Sequence, residues 1–265
     1  MNITIFSKDR ACQLHLMLKT LKNLFKEYAS NKVNVVYKYK NNEHAAGYDI
    51  LKGHYPEVNF ICENTTNECF RALVLKTIDT QEKHTVFFVD DNVVKMPFST
   101  NDKEFKALEE NDKILCLSLR MNNGMSYCHP ARLHYTRVPQ LQNNIWEWRG
   151  HEGDWGYPMS VDGHVFRTNE ILSILHRFDF SNPTNLENNM SMNTLSGDYM
   201  ICYDKSIVFN NPLNRVHTLN NTPHANVSED MLLGEYRAGK RLYLNCNIGE
   251  VNFTSPHFDI PIGLT

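Results

Sequence analysis

The stretch Thr85-Val86-Phe87-Phe88-Val89-Asp90-Asp91-Asn92 decides the fold. Its β-favouring run reads as a central strand covered on both faces, and the run stops in two carboxylates and an amide. Adjacent acids repel, so something positive is expected between them. In an open α/β sheet the carboxyl ends of the strands line the ligand crevice, which places Asp90 and Asp91 at a site. A hard divalent cation with a phosphate on its far side suits such a place. The plainer alternative is a strand ending in an Asp-Asn turn, since both residues favour turns.

Outward from this strand, the first half alternates short apolar runs with amphipathic ones. Ile3 to Phe6 reads as a strand, and Leu14, Leu18, Leu21, Phe25 and Tyr28 then share a helical face. Val33 to Tyr39 and Val58 to Cys62 give two more strands, separated by a helical piece around Ala45 to Leu51. Glu68 to Ile78 supplies the helix before the central strand, and a weak helix from Asp102 to Glu110 precedes a strand from Ile114 to Leu119. This order predicts an α/β fold with a mostly parallel sheet, helices on both faces and right-handed crossovers.

The second half is less regular. Residues 120–157 hold all three Trp and little periodicity, which reads as long loops. Val161 to Phe166 is a further candidate strand, Asn169 to His176 a helix, and Pro183 opens another helical stretch. Ser206 to Phe209 is a late strand, and Ser228 caps a helix from Glu229 to Arg237 with Gly239 as its stop. No linker or repeat divides the chain. The expectation is one domain over 1–265, with residues 1–119 holding one ligand and residues 120–265 elaborating the other side of the cleft.

With 265 residues, 42% of them hydrophobic, the chain can bury a sizeable core. A formal charge of −3 gives no basic excess of the kind a nucleic-acid surface needs. No segment approaches membrane-spanning length or a signal-peptide pattern, so a cytoplasmic protein without a transmembrane segment is expected. Seven cysteines stand singly, with no C-x-x-C pair, and read as free thiols.

Several clusters carry chemistry. Phe6-Ser7-Lys8-Asp9-Arg10 falls where the first strand meets the first helix, so its N–H groups, Lys8 and Arg10 can face an anion; ordinary loop polarity is the alternative. Neither G-x-G-x-x-G nor a P-loop occurs, which argues against a dinucleotide cofactor or a P-loop nucleotide site. Asp154, Trp155 and Tyr157, followed by Asp162, put aromatics beside acids, an arrangement that either stacks under a sugar ring or packs over the sheet. His151 and His164 read as hydrogen-bonded structural residues sooner than as ligands, and the histidines lack an H-E-x-x-H spacing.

Taken together, the first strand ending in Ser-Lys-Asp-Arg, the apolar strand ending in Asp-Asp-Asn, and the later Asp162-Gly163-His164-Val165-Phe166-Arg167 resemble a nucleotide-sugar-dependent glycosyltransferase of the GT-A fold, family 2-like in type. The resemblance implies that Asp90, Asp91 and Asn92 occupy the place of the family's Asp-x-Asp motif. That motif holds Mn²⁺ or Mg²⁺ against the donor diphosphate, and Asn92 departs from it. It further implies donor binding by Phe6, Ser7, Lys8, Arg10, Asp90 and Asp91, and a metal ligand at His217, with His224 second. Glu187 is implied as the catalytic base, with Asp162 beside it, and Asp154, Trp155 and Tyr157 as the acceptor platform. The implied reaction moves a sugar from a nucleoside diphosphate to a hydroxyl of a glycan or other acceptor. Two rivals stand beside it: a nucleotidyltransferase, and a carbohydrate-binding protein that keeps the pocket without catalysis.

Overall fold

The computed structural model describes residues 1–194, 196–214, 225–244, 253–257 and 262–265. In chain order the first half runs β1 (Asn2–Lys8), α1 (Ala11–Leu24), β2 (Val33–Lys38), α2 (Asn42–His54), β3 (Asn59–Cys62), α3 (Phe70–Lys76), β4 (His84–Val89), β5 (Asn92–Val94), α4 (Lys103–Glu110) and β6 (Ile114–Ser118). The second half adds β7 (Tyr127–Cys128), β8 (Leu133–His134), β9 (Ile145–Glu147), β10 (His164–Arg167), α5 (Thr168–Leu175), α6 (Pro183–Met192), β11 (Tyr199–Cys202), β12 (Val208–Asn210), α7 (Glu229–Arg237), β13 (Leu242–Leu244) and β14 (Ile262–Leu264).

One sheet of eight strands, in the order β3-β2-β1-β4-β10-β6-β11-β9, organises the molecule. β1 pairs in parallel with β2 and β4, β2 with β3, and β6 with β11. The chain winds outward from β1 to β3, then returns to lay β4 on the other side of β1. That reversal opens a crevice at the carboxyl ends of β1 and β4. Ile3, Ile5, Val86, Phe87, Phe88, Leu115 and Leu117 are fully buried, and side chains on both faces of β1, β4 and β6 are covered. This is why their sequences read as continuous apolar runs instead of alternating ones. Among the described residues no helix is long and apolar enough to cross a membrane.

Two features depart from the sequence expectation. The late strand β10 inserts antiparallel between β4 and β6, so the two halves of the chain share one sheet. Its pattern gave its existence but not its neighbour, because strand order is set by tertiary packing. Residues 120–157 are also more ordered than expected, with β7 and β8 forming a small ribbon and β9 closing the edge of the main sheet. The Ser228 side chain accepts from the Met231 N–H and starts α7 as its sequence predicts.

Candidate active site

The loop after β1 turns on Asp9, whose backbone is left-handed at φ 58°. Its side chain accepts from the Lys40 N–H at 2.7 Å, which ties this turn to the end of β2. The turn swings Arg10 back across the sheet. Arg10 Nη1 donates to Asp90 Oδ1 at 2.9 Å and to Asp91 Oδ2 at 3.1 Å. Arg10 Nε donates to Asn214 Oδ1 at 2.7 Å, and Nη2 reaches the Asn214 carbonyl. The positive group expected between the two acids is therefore, in the first instance, a guanidinium from the loop after the neighbouring strand β1.

The two acids differ in what remains open. Asp90 is the more tightly held, because Oδ2 also accepts from Ser7 Oγ at 2.9 Å and the Lys8 N–H at 3.0 Å. Asp91 accepts from Arg10 and, on Oδ1, from Asn210 Nδ2 at 3.1 Å, and it is the more exposed of the two, at 13% against 5%. Burial lifts its carboxyl from an ordinary 3.8 to about 6; Arg10 opposes the rise, and the charges of Asp90 and Asp162 add to it.

Asn210 Nδ2 also donates to Asp162 Oδ2 at 2.7 Å, so one amide joins Asp91 to Asp162. Asp162 Oδ1 accepts from Asn92 Nδ2 at 2.6 Å, and Oδ2 from Arg120 Nη1 at 3.0 Å. Arg120, fully buried, is a second guanidinium among acids, 3.8 Å from Asp154. Gly163, at φ +75°, lets it pass: a Cβ there would lie 3.2 Å from Arg120 Cγ. Glu187 stands on α6, where its Oε1 accepts from Ser160 Oγ at 2.8 Å and the Val161 N–H at 3.1 Å. Burial raises the Glu187 carboxyl pKa, and the Asp162 charge adds to the rise against the hydrogen bonds and Arg120.

Part of this network lines one cleft of about 550 Å³ at the strand ends. Phe6, Ser7, Lys8, Arg10, Asp90, Asp91, Asp162 and Glu187 all meet there, from segments far apart in sequence. The remaining expected residues behave differently. Trp155 is fully buried, its ring edge-on to Trp146 at 5.0 Å, so it has no face to offer a sugar; it packs over the sheet instead. Asp154 accepts from Tyr135 Oη at 2.9 Å, and it and Tyr157 stand outside the described lining. Asn92 is buried and corrects the metal-ligand expectation: its Oδ1 accepts from the Val89 N–H and its Nδ2 is spent on Asp162. Asp90 lines the cleft and also holds the loop after β1 through Ser7 and the Lys8 N–H. His217 and His224 lie outside the described residues. His164 is buried with Nδ1 2.9 Å from the Pro158 carbonyl, and burial lowers its pKa to about 4, which makes it a structural histidine.

Sequence reasoning missed Arg120, Asn210, Glu63 and His257. The last lines the cleft, stacks on His129 at 5.2 Å, and is held neutral by burial and the nearby Arg120, with a pKa of about 4. None of the four sits in a recognisable pattern. Each is brought in by strand order or by a late segment.

Charge decides whether a divalent cation fits. The described lining holds Lys8, Arg10 and Lys38 beside Glu63, Asp90, Asp91, Asp162 and Glu187, with Arg120 behind Asp162, an excess of acids that a bound divalent cation would offset. No three His, Cys, Asp or Glu side chains among the described residues converge on a metal position. Mg²⁺ commonly takes one or two carboxylates and completes its shell with substrate phosphates and water, and Asp91 fits that role.

Fold and cleft thus define an α/β protein of the kind that takes its ligand at a strand-order reversal. Comparison with known proteins adds a relative. Over 194 residues, 66% of this chain, the sequence is 29% identical to the bifunctional glycosyltransferase pgtA of Dictyostelium discoideum. The matched stretch is 25% of that protein's length, so the chain spans about a quarter of this relative. No family model matches. Among solved structures, S. aureus TarS is similar over 79% of this chain and 36% of its own, at 11% identity and a TM-score of 0.48. The mannosyltransferase PcManGT from Pyrobaculum calidifontis, in complex with GDP-Man and Mn²⁺, is similar over 76% of this chain and 54% of its own, at 11% identity and a TM-score of 0.41.

Proposed function

We propose that this chain is a nucleotide-sugar-dependent glycosyltransferase domain that moves a sugar from a nucleoside diphosphate to an acceptor hydroxyl. One observation carries the reading: the cationic loop after β1, the open carboxylate of Asp91 and a second, separately supported carboxylate, Glu187, line the same cleft. The identity with pgtA points the same way.

In this reading Lys8 and Arg10 face the diphosphate, and Asp91 is the residue that holds a divalent cation. When bound, that cation supplies positive charge against the departing nucleoside diphosphate. Arg10 keeps the Asp90–Asp91 pair in register, while Asn210 and Arg120 fix Asp162 beside it. Glu187 Oε1 is pinned by Ser160 and Val161, and Oε2 accepts no hydrogen bond from the described residues. Its raised pKa makes it a stronger base toward an acceptor hydroxyl, as an inverting transfer requires. The α6 N-terminal residues Asn182 and Thr184 flank it on the acceptor side. The six described cysteines are free thiols, which supports a cytosolic workplace.

The test is nucleoside diphosphate release from a panel of nucleotide sugars with Mn²⁺, followed for the wild type and Glu187→Gln. Glu187→Gln should bind nucleotide within about twofold of wild type and lose transfer by 10²-fold or more, the scale of general-base catalysis. Release of pyrophosphate instead of nucleoside diphosphate, or unchanged turnover of the variant, rejects the assignment.

A further inference from the structure

The donor-site reading leaves one acid of the cleft without a task. Glu63 follows β3 directly, and the sheet register fixes its place. Lys8 is level with Lys38 across β1 and β2, and Tyr37 with Cys62 across β2 and β3. Lys8 and Lys38 are therefore neighbours about 4.8 Å apart in backbone, and Glu63 opens the short turn one residue past the last paired position of β3, so the three rise from the carboxyl ends of adjacent strands. β2 and β3 lie on the flank of β1 away from β4 and from β10, the strand that Asp162 leads into.

The other four acids of the lining are held from within: Asp90 by Ser7, Asp91 by Asn210, Asp162 by Asn92 and Glu187 by Ser160. Glu63 accepts no hydrogen bond from the described residues, and it is half-buried. Burial raises its pKa, with Lys38 and Lys8 acting against the rise, so both lysines are its electrostatic neighbours. Around this row the cleft is apolar, walled by Phe6, Val36, Phe70 and Val89, with the Phe6 and Phe70 rings 5.4 Å apart. A carboxylate and an ammonium side by side above an apolar wall suit the edge of a flat heteroaromatic ring.

We propose that Glu63 selects the nucleobase of the donor and that this base is guanine. The inference rests on the donor-site reading above. Guanine shows, along one edge, a carbonyl oxygen, a ring N–H and an exocyclic NH₂. The two N–H groups match both oxygens of a carboxylate, and the carbonyl matches the Lys38 ammonium. Uracil presents one N–H between two carbonyls, so the second carboxylate oxygen meets a lone pair. Adenine and cytosine offer an amino group beside an unprotonated ring nitrogen, with the same conflict.

Titration calorimetry of the full chain with GDP, UDP, ADP and CDP, each with Mn²⁺, tests this on wild type and Glu63→Gln. GDP should bind at least about tenfold tighter than the other three, a gap of about 1.4 kcal/mol. Glu63→Gln should erase that gap while changing UDP affinity by less than about threefold. UDP binding as tightly as GDP overturns the guanine assignment and leaves the donor site standing. So does an equal loss for all four nucleotides in the variant, the signature of a carboxylate on the ribose hydroxyls. Failure of every nucleotide to bind the wild type sinks the donor-site reading itself, and this inference with it.

Discussion

Replacing Asp91 by Asn should make the protein more stable at neutral pH while removing the open carboxylate of the site. Folding raises the Asp91 carboxyl from 3.8 to about 6, so the native state holds that proton more tightly than the unfolded chain does. A raised pKa contributes stability that is fully present below pH 3.8 and is lost as pH climbs through about 6. At 1.36 kcal/mol per pH unit, ionising this group in the folded state costs about 3 kcal/mol. Asn at this position never pays that cost. Its carbonyl still accepts from Arg10, but its NH₂ then meets the Asn210 amide, where the carboxylate accepts at 3.1 Å, and that mismatch costs about 1 kcal/mol.

Net stabilisation of about 1–2 kcal/mol is therefore expected at pH 7.5, reversing to a small destabilisation near pH 4. Urea unfolding followed by tryptophan fluorescence from pH 4 to 8 measures it. Titrating groups that do not interact with Asp91 cancel in the difference between variant and wild type, and that difference should swing by about 2–3 kcal/mol across the window. A difference that stays constant with pH refutes the reasoning, since it means Asp91 is not held against its own ionisation.

Three further outcomes follow from the same contacts. Arg10→Met leaves Asp90 and Asp91 without their cation and should cost about 3–5 kcal/mol in urea unfolding at pH 8, with a smaller loss at pH 5, where Asp91 takes up a proton; a loss under about 1 kcal/mol would show the pair is solvated. Asp9→Ala puts Ala at φ 58° and removes the bond to the Lys40 N–H, for about 2 kcal/mol, whereas Asp9→Gly restores the backbone part and should be about 1 kcal/mol better than Ala by the same assay. Trp155→Ala should cost about 3–5 kcal/mol of stability while leaving nucleotide affinity in the cold unchanged, because this ring belongs to the core.

Much of the fold is legible because it rests on local pattern. β4 is a continuous apolar run since both its faces are covered, and its Asp pair falls at the crevice because strand ends in this architecture point there. The position of β10 is not legible. Its apolar character is local, but its antiparallel seat between β4 and β6 depends on what the rest of the sheet leaves open. Trp155 illustrates a second limit: an aromatic beside an acid in an irregular stretch has the same sequence whether it faces a sugar or Trp146, and only burial separates the two.

The acids show a third limit, and it bears most on function. Repulsion between Asp90 and Asp91 demands positive charge, yet nothing in the sequence tells a resident guanidinium from a bound ion. Arg10 meets part of the demand, and it does so unequally. It completes Asp90, whose other oxygen is already taken by the loop after β1, and it leaves Asp91 shared with one amide and raised in pKa. Beside the salt bridge to Arg10, Asp91 keeps one amide partner and the greater exposure of the pair, which leaves it the more open carboxylate at the end of β4. A protein selected only for stability would have an amide there. Under the donor-site proposal, the charge that Asp91 keeps at this cost is the one a divalent cation would meet together with the donor phosphates.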